Sequence, residues 1–310
     1  MQPALSVILL TTLIGAGQGL FLALYAAELA GFGGAASPEG HAVLAIGAGV
    51  SLVLTGLGLV ASFFHLGHPE RAWRAAAMWR TSWLSREVIV LPLFMATLFA
   101  WGGAHALALP GTGWLGAIAA LVCIALFVCT GMVYASIRFL QEWASPLTLL
   151  NYGLLGCASG ATLAAAMASV SAPGLVSAFV SAALLLTLLG LASRAASLVR
   201  NARLKPKSTL QSAIGIRHPK ITQRAQGFMG GSFNTREFFH GKGAPLLRQV
   251  KWFFIAAAFV LPAAMLLAGP ASSGWLAAAF AIQFVGLMAE RWFFFAQANH
   301  PQNLYYQAIS

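Results

Sequence analysis

Long apolar stretches separated by polar turns dominate the chain. A helix needs about 20 apolar residues to cross a hydrocarbon core about 30 Å thick, and eight stretches reach or approach that length. The pattern predicts an all-α, polytopic membrane protein: a bundle of eight transmembrane helices that forms a single domain over residues 1–310. The predicted spans cover residues 5–30, 41–64, 87–109, 114–136, 147–170, 175–199, 252–267 and 275–295.

Composition and charge fix the class and the orientation. With 59% hydrophobic and 8% charged residues, against roughly 25% charged in soluble domains, the chain leaves no room for a soluble domain. Alternating spans place all eighteen Lys and Arg residues, Arg194 and Arg291 among them, on the face with both termini. The positive-inside rule makes that face cytoplasmic in a bacterial inner membrane. Because topology accounts for the net charge of +11, no nucleic-acid partner is expected.

Two polar connections are longer than a turn. A hairpin at residues 65–87 joins spans two and three, and a basic loop at residues 200–251 joins spans six and seven. The hairpin places His65 at the end of one span and Glu87 at the start of the next. An interfacial hairpin would explain its Arg and Trp residues, which set topology and form an aromatic belt. It explains less well why His and Glu flank the same opening.

A quinone site would use such a pair. Each quinone carbonyl needs a hydrogen-bond partner, and the head group exchanges two protons together with two electrons. A histidine can donate to one carbonyl and exchange a proton near neutral pH, and a partly buried carboxylate can relay the other proton. Tryptophan walls suit the isoprenoid tail. A plain buried hydrogen bond between His and Glu is the alternative on chemistry alone.

The hairpin residues also resemble a known family. The runs His65-Leu-Gly, Arg71-Ala-Trp73-Arg74 and Ser82-Trp83-Leu-Ser85-Arg86-Glu87 resemble the signature of the dimethyl sulfoxide reductase anchor subunits, which include sulfite dehydrogenase (quinone) anchors. The segment 227–241 is similar to the sulfite dehydrogenase branch. This resemblance implies a heterotrimer of a molybdopterin catalytic subunit, a four-cluster iron–sulfur subunit and this anchor, so the catalytic centre would lie on another chain.

What the resemblance implies for function is electron exchange with ubiquinone or menaquinone, with sulfite oxidation the favoured direction. His65 and Glu87 would bind or protonate the quinone, and the molybdopterin and iron–sulfur clusters would belong to the partners only. The remaining candidate quinone-site residues are Arg71, Trp73, Arg74, Ser82, Trp83 and Arg86. Because site and partners would share one face, no charge should cross the membrane. An anchor of a dimethyl sulfoxide or polysulfide reductase, running from quinol to acceptor, is the alternative.

The long basic loop is the candidate partner surface. Loops of this length are usually functional or disordered, and its aromatic residues favour a partly ordered pad for the iron–sulfur subunit over a segment lying on anionic lipid. The candidate docking residues are Arg217, Arg224, Phe228, Arg236 and Phe238.

Other chemistries have weaker support. His41 and His105 lie near the opposite membrane face, where they could hold a b-type haem, although the resemblance does not require one. A secondary transporter would place charges near the midplane, and only Glu28 lies well inside a span on that half. No motif of metal-ligand spacing links the histidines or the cysteines, so no metal site is predicted.

Overall fold

The computed structural model describes residues 1–32, 38–222, 238 and 240–305. Eight helices in these ranges are long and apolar enough to cross a membrane, and no strand occurs among the described residues. The predicted all-α membrane bundle is therefore confirmed. The crossing helices are α1 Leu5–Leu29, α2 Pro38–Phe63, α3 Trp83–Ala106, α4 Thr112–Ala135, α5 Pro146–Ser171, α6 Val176–Ala202, α8 Ala244–Ala268 and α9 Ser273–Ala296.

Shorter elements lie between and after the crossing helices. A 3₁₀ segment, Pro69–Met78, follows α2, and the short helices are α7 Leu210–Ile214 and α10 Gln302–Tyr305. The helix α8 contains a π-helical turn at Ala256–Val260. We call the membrane face that carries the 3₁₀ segment, the α4–α5 connection, the N-terminus and the ends of α6 and α9 the loop face, and the other the opposite face.

Helix α1 lies at the centre of the bundle and packs on α2, α4, α5 and α9. Glycines allow its close approach to α5. A Cβ atom at Gly19 or at Gly160 would overlap the backbone of the facing helix, so only glycine fits at this crossing. On the same helix, Gly15 also faces α5, and Gly17 faces Ser51 and Thr55 of α2. Large apolar side chains point outward elsewhere, including Phe99, which is 70% exposed and faces where lipid would lie.

The largest boundary differences from the sequence prediction are at the starts of the third and seventh spans. Helix α3 begins at Trp83, and α8 begins at Ala244, eight residues before the predicted start of the seventh span at Trp252. The long loop is therefore shorter than residues 200–251, since α6 also continues to Ala202. Hydropathy stops a span at Arg248 and Lys251, but a basic side chain in the first turns of a helix can extend to the interface.

Candidate functional site

Glu87 points into the bundle from the first turns of α3. The helix begins after Ser82, whose hydroxyl accepts a hydrogen bond from the Ser85 N–H at 3.3 Å, a standard N-cap. Glu87 then faces α4, where the Thr130 hydroxyl donates to its Oε1 at 2.6 Å. The carboxylate therefore has a fixed position one to two turns below the loop face.

A narrow space, which we call the Glu87 cleft, lies beside this carboxylate. It is bounded by α1, α3, α4, α5 and α9 and encloses about 440 Å³ including its open part. The interior has free space for roughly one water molecule. Apolar residues form much of the wall. Its polar lining residues are Thr11, Thr12, Gln18, Glu87, Thr130, Tyr152, Ser159 and Arg291.

His65 does not line the Glu87 cleft. It lies in the turn after α2 and is exposed, whereas the Glu87 carboxylate accepts a hydrogen bond from Thr130 of α4. Both residues lie near the loop-face ends of α2 and α3, which pack together. Of the two residues, only Glu87 lines the Glu87 cleft.

The other hairpin candidates lie on the surface of the loop face. Trp73 is 72% exposed, and the Arg74 guanidinium carbon lies 5.5 Å from its ring centroid. Arg71 is 3.6 Å from the Glu70 carboxylate, and both are exposed. Such exposed tryptophan and arginine pairs are typical of a segment at a membrane interface.

Arg86 closes the turn between the 3₁₀ segment and α3. Its Nε donates to the Trp79 carbonyl at 2.9 Å and its Nη2 to the Arg80 carbonyl at 2.8 Å. Its guanidinium also lies 4.2 Å from the Trp83 ring centroid. Ser82, Trp83 and Arg86 therefore stabilise the start of α3. The start of this helix sets the direction of the Glu87 side chain.

A buried charged cluster on the other side of the cleft was missed at the sequence level. Arg194 on α6 pairs with Glu290 on α9, Nε to Oε1, at 2.7 Å, and Arg291 Nε lies 3.6 Å from Glu290 Oε2. Arg291 also stacks over the Tyr152 ring at 3.7 Å. Arg194 and Arg291 are 2% and 5% exposed, so counting them with the basic surface was wrong. Charged residues inside predicted spans 175–199 and 275–295 were the available signal.

The opposite face holds a second polar cluster. Glu28 accepts a hydrogen bond from Trp101 Nε1 at 2.9 Å and lies 3.3 Å from His105 Nε2. His41 and His105 are joined directly, Nδ1 to Nδ1, at 2.8 Å. A haem iron needs axial nitrogens on either side of it, and here the two Nδ1 atoms are within hydrogen-bond distance of each other instead. Within the described ranges, no group of three or more His, Cys, Asp or Glu side chains could hold a metal ion.

Comparison with known proteins gives the family. A profile of the DMSO reductase anchor subunit (DmsC) family matches residues 1–296. Over an alignment of 327 residues, which covers all of both chains, the chain is 52% identical to a sulfite dehydrogenase subunit of Allochromatium vinosum. The chain belongs to the DMSO reductase anchor subunit family. It is thus a membrane anchor subunit of a DMSO reductase-family complex, as the hairpin residues predicted.

The candidate docking residues for a partner subunit do not all lie in one place. Arg217 is exposed on the loop face. Phe238 is half-buried and stacks on His300 with ring centroids 3.7 Å apart, and its carbonyl accepts from Asn303 Nδ2 at 3.2 Å. Arg224, Phe228 and Arg236 lie outside the described residues.

His240 holds the end of the long loop against the bundle. Its Nε2 lies 3.1 Å from the Ala296 carbonyl, and its Nδ1 accepts from the Lys242 N–H at 3.0 Å. Both contacts are satisfied by the neutral tautomer with the proton on Nε2. Burial lowers the pKa of His240, and the nearby N-terminal ammonium adds to this effect. The docked loop therefore favours the uncharged ring.

We expect the docking of this segment to weaken as pH falls. The undocked imidazole takes up a proton below about pH 6.5, whereas the docked ring resists it, so the stabilisation is present above that pH and is lost below it. Limited proteolysis of the loop should be faster at about pH 5.5 than at about pH 7.5. His240→Asn should remove this difference, and His218→Asn, at an exposed loop histidine, should keep it. Equal cleavage rates of the unaltered chain at both pH values would contradict the assignment.

Proposed function

We propose that this chain is the quinone-reactive membrane anchor of a heterotrimeric molybdopterin oxidoreductase. Electrons would pass between the iron–sulfur partner subunit and the quinone pool, and the molybdopterin centre would lie on the third subunit. The family assignment supports the anchor role. The observation that carries the quinone role is the Glu87 carboxylate, held by Thr130 at the edge of a cleft near the loop face. A quinone needs proton-exchanging groups at the membrane face where its head group lies.

Sulfite is the proposed electron source. Support comes from the 52% identity, over the full length, to a protein named as a sulfite dehydrogenase subunit. Sulfite and water would yield sulfate, two protons and two electrons on the catalytic subunit. The anchor would then combine two electrons and two protons with a quinone to give the quinol. The direction of flow runs from sulfite to the membrane pool.

The proposed quinone site lies where the loop-face ends of α2 and α3 meet. The Glu87 cleft has free space for roughly one water molecule, so the head group would sit at its mouth rather than inside it. Glu87 would exchange a proton from within the bundle, and the exposed His65 would donate to the head group from the end of α2. Trp73, Arg71 and Arg74 would form the outer wall, with Ser82, Trp83 and Arg86 fixing the start of α3.

The loop face is proposed to be cytoplasmic, in a bacterial inner membrane. The connections on this face carry the Lys and Arg residues of the exposed loops, including Arg71, Arg217 and Lys207, as the positive-inside rule requires of cytoplasmic segments. The iron–sulfur subunit would dock on the same face, over the long loop. Since electrons and protons would then reach the quinone from one side, its reduction would move no charge across the membrane.

Purification of the complete complex tests this function. The chain should copurify with an iron–sulfur and a molybdopterin subunit, and the complex should reduce a soluble ubiquinone or menaquinone analogue when sulfite is added. Soluble subunits from cells lacking this chain should still reduce an artificial dye with sulfite, but should no longer reduce the quinone analogue. Equal quinone reduction with and without the chain would overturn the proposal.

A further inference from the structure

Three spaces that share lining residues, beginning with the Glu87 cleft, lie between the bundle interior and the loop face. Next to the cleft lies a cavity of about 290 Å³, including open space, between α5, α6 and α9, which we call the arginine cavity. Its interior has free space for about one water molecule. Arg291 lines both spaces. A third and larger cavity of about 1040 Å³, including open space, lies at the loop face. Glu142 and Asn201 line both the second and the third cavity.

Polar atoms in the arginine cavity lack protein partners. Asn151 Nδ2 donates to the Ser197 hydroxyl at 2.8 Å, but among the described residues nothing bonds to Asn151 Oδ1 or to Arg194 Nη2. Both residues are almost fully buried, at 5% and 2% exposed. An unpaired buried polar group is costly, and in native proteins such groups are usually satisfied by ordered water.

We propose that the arginine cavity holds an internal water molecule that helps to carry protons between the loop face and Glu87. This inference rests on the proposed quinone function, because Glu87 needs a proton supply only if it serves a quinone. Water would enter from the loop-face cavity past Glu142 and Asn201. It would be bound by Asn151, Ser197 and Arg194, and would reach the cleft beside Arg291.

The charges of the cavity fit this role. Arginine alone would repel a proton, but the lining combines the carboxylates of Glu142 and Glu290 with the guanidinium groups of Arg194, Arg200 and Arg291. The carboxylates offset most of the positive charge. For each quinone reduced, two electrons would come from the iron–sulfur partner and two protons from water on the loop face, so the electrons and protons balance in the quinol.

Replacing Asn151 with leucine is the direct test, in the assembled complex. The side chains are similar in volume, and Ser197 keeps its hydrogen bond to the Ser193 carbonyl, at 3.2 Å, so the fold should persist. Quinone turnover driven by sulfite should fall about tenfold or more, with an unchanged KM for the quinone analogue and unchanged dye reduction. Azide, a small weak acid that can carry protons, should restore part of the turnover.

Thr162→Val is the matched control. Thr162 is also buried on α5, but it bonds to Gln283 at 2.7 Å and lines none of the three cavities, so turnover should be unchanged. If Asn151→Leu fails to assemble, Ser197→Val tests the same path from α6. Unchanged turnover in an assembled cavity variant, or a loss that azide does not reverse, would overturn the water path. The absence of quinone reduction in the unaltered complex would instead overturn the proposed function.

Discussion

Glu87→Gln is expected to lower quinone turnover of the complex by about a hundredfold or more while leaving dye reduction intact. Glutamine can still accept the hydrogen bond from Thr130, whose hydroxyl lies 2.6 Å from the carboxylate, so the helix contact should remain. It cannot exchange a proton at neutral pH. The loss should therefore appear in kcat of quinone reduction, measured with sulfite as donor, and not in assembly of the subunits.

Glu39→Gln provides the control for removing a carboxylate. Glu39 lies exposed in the first turn of α2, at the opposite face, and its replacement should leave both activities unchanged. Equal loss of dye and quinone reduction in Glu87→Gln would mean that the residue supports assembly rather than proton exchange. Full quinone turnover in that variant would remove Glu87 from the reaction.

The second large effect is expected from Glu290→Ala. Glu290 is 1% exposed and lies 2.7 Å from Arg194 and 3.6 Å from Arg291. Removing it leaves two buried guanidinium groups without their carboxylate, and breaking a buried pair in this way costs about 3–5 kcal/mol. The free energy of unfolding, measured for the purified chain in mixed detergent micelles, should fall by that amount.

An exposed ion pair gives the comparison for Glu290. Glu70 lies 3.6 Å from Arg71, with both side chains more than half exposed, and Glu70→Gln should change the free energy of unfolding by less than about 1 kcal/mol. An equally small change in the free energy of unfolding of Glu290→Ala would contradict the conclusion that the cluster stabilises the packing of α6 against α9.

Much of the fold could be predicted from the amino-acid sequence alone. A span is recognised from its own apolar residues, because the bilayer acts on each helix separately, and the eight predicted helices all occur. Hydropathy misplaces the end of a helix where the helix contains polar residues. Arg248 and Lys251 moved the predicted start of the seventh span eight residues too late, since α8 begins at Ala244.

The polar clusters could not be predicted from the sequence, because their residues come together only when the helices pack. The sequence pattern grouped Arg194 and Arg291 with the basic residues of the loop face. Their pairing with Glu290 depends on the packing of α6 against α9. His41 and His105 could be matched in depth from the sequence, but their direct hydrogen bond could not. For the same reason, the hairpin predicted that His65 and Glu87 share a depth, whereas the direction of the Glu87 side chain depends on Thr130 of α4.

The position of a bound quinone in the complete complex is the most direct test of the proposed quinone site. An electron cryomicroscopy map with a bound quinone analogue should place the head group at the loop face, at the mouth of the cleft beside Glu87, and within electron-transfer reach of an iron–sulfur cluster of the partner. A head group bound instead at the opposite face, next to His41 and His105, would contradict it.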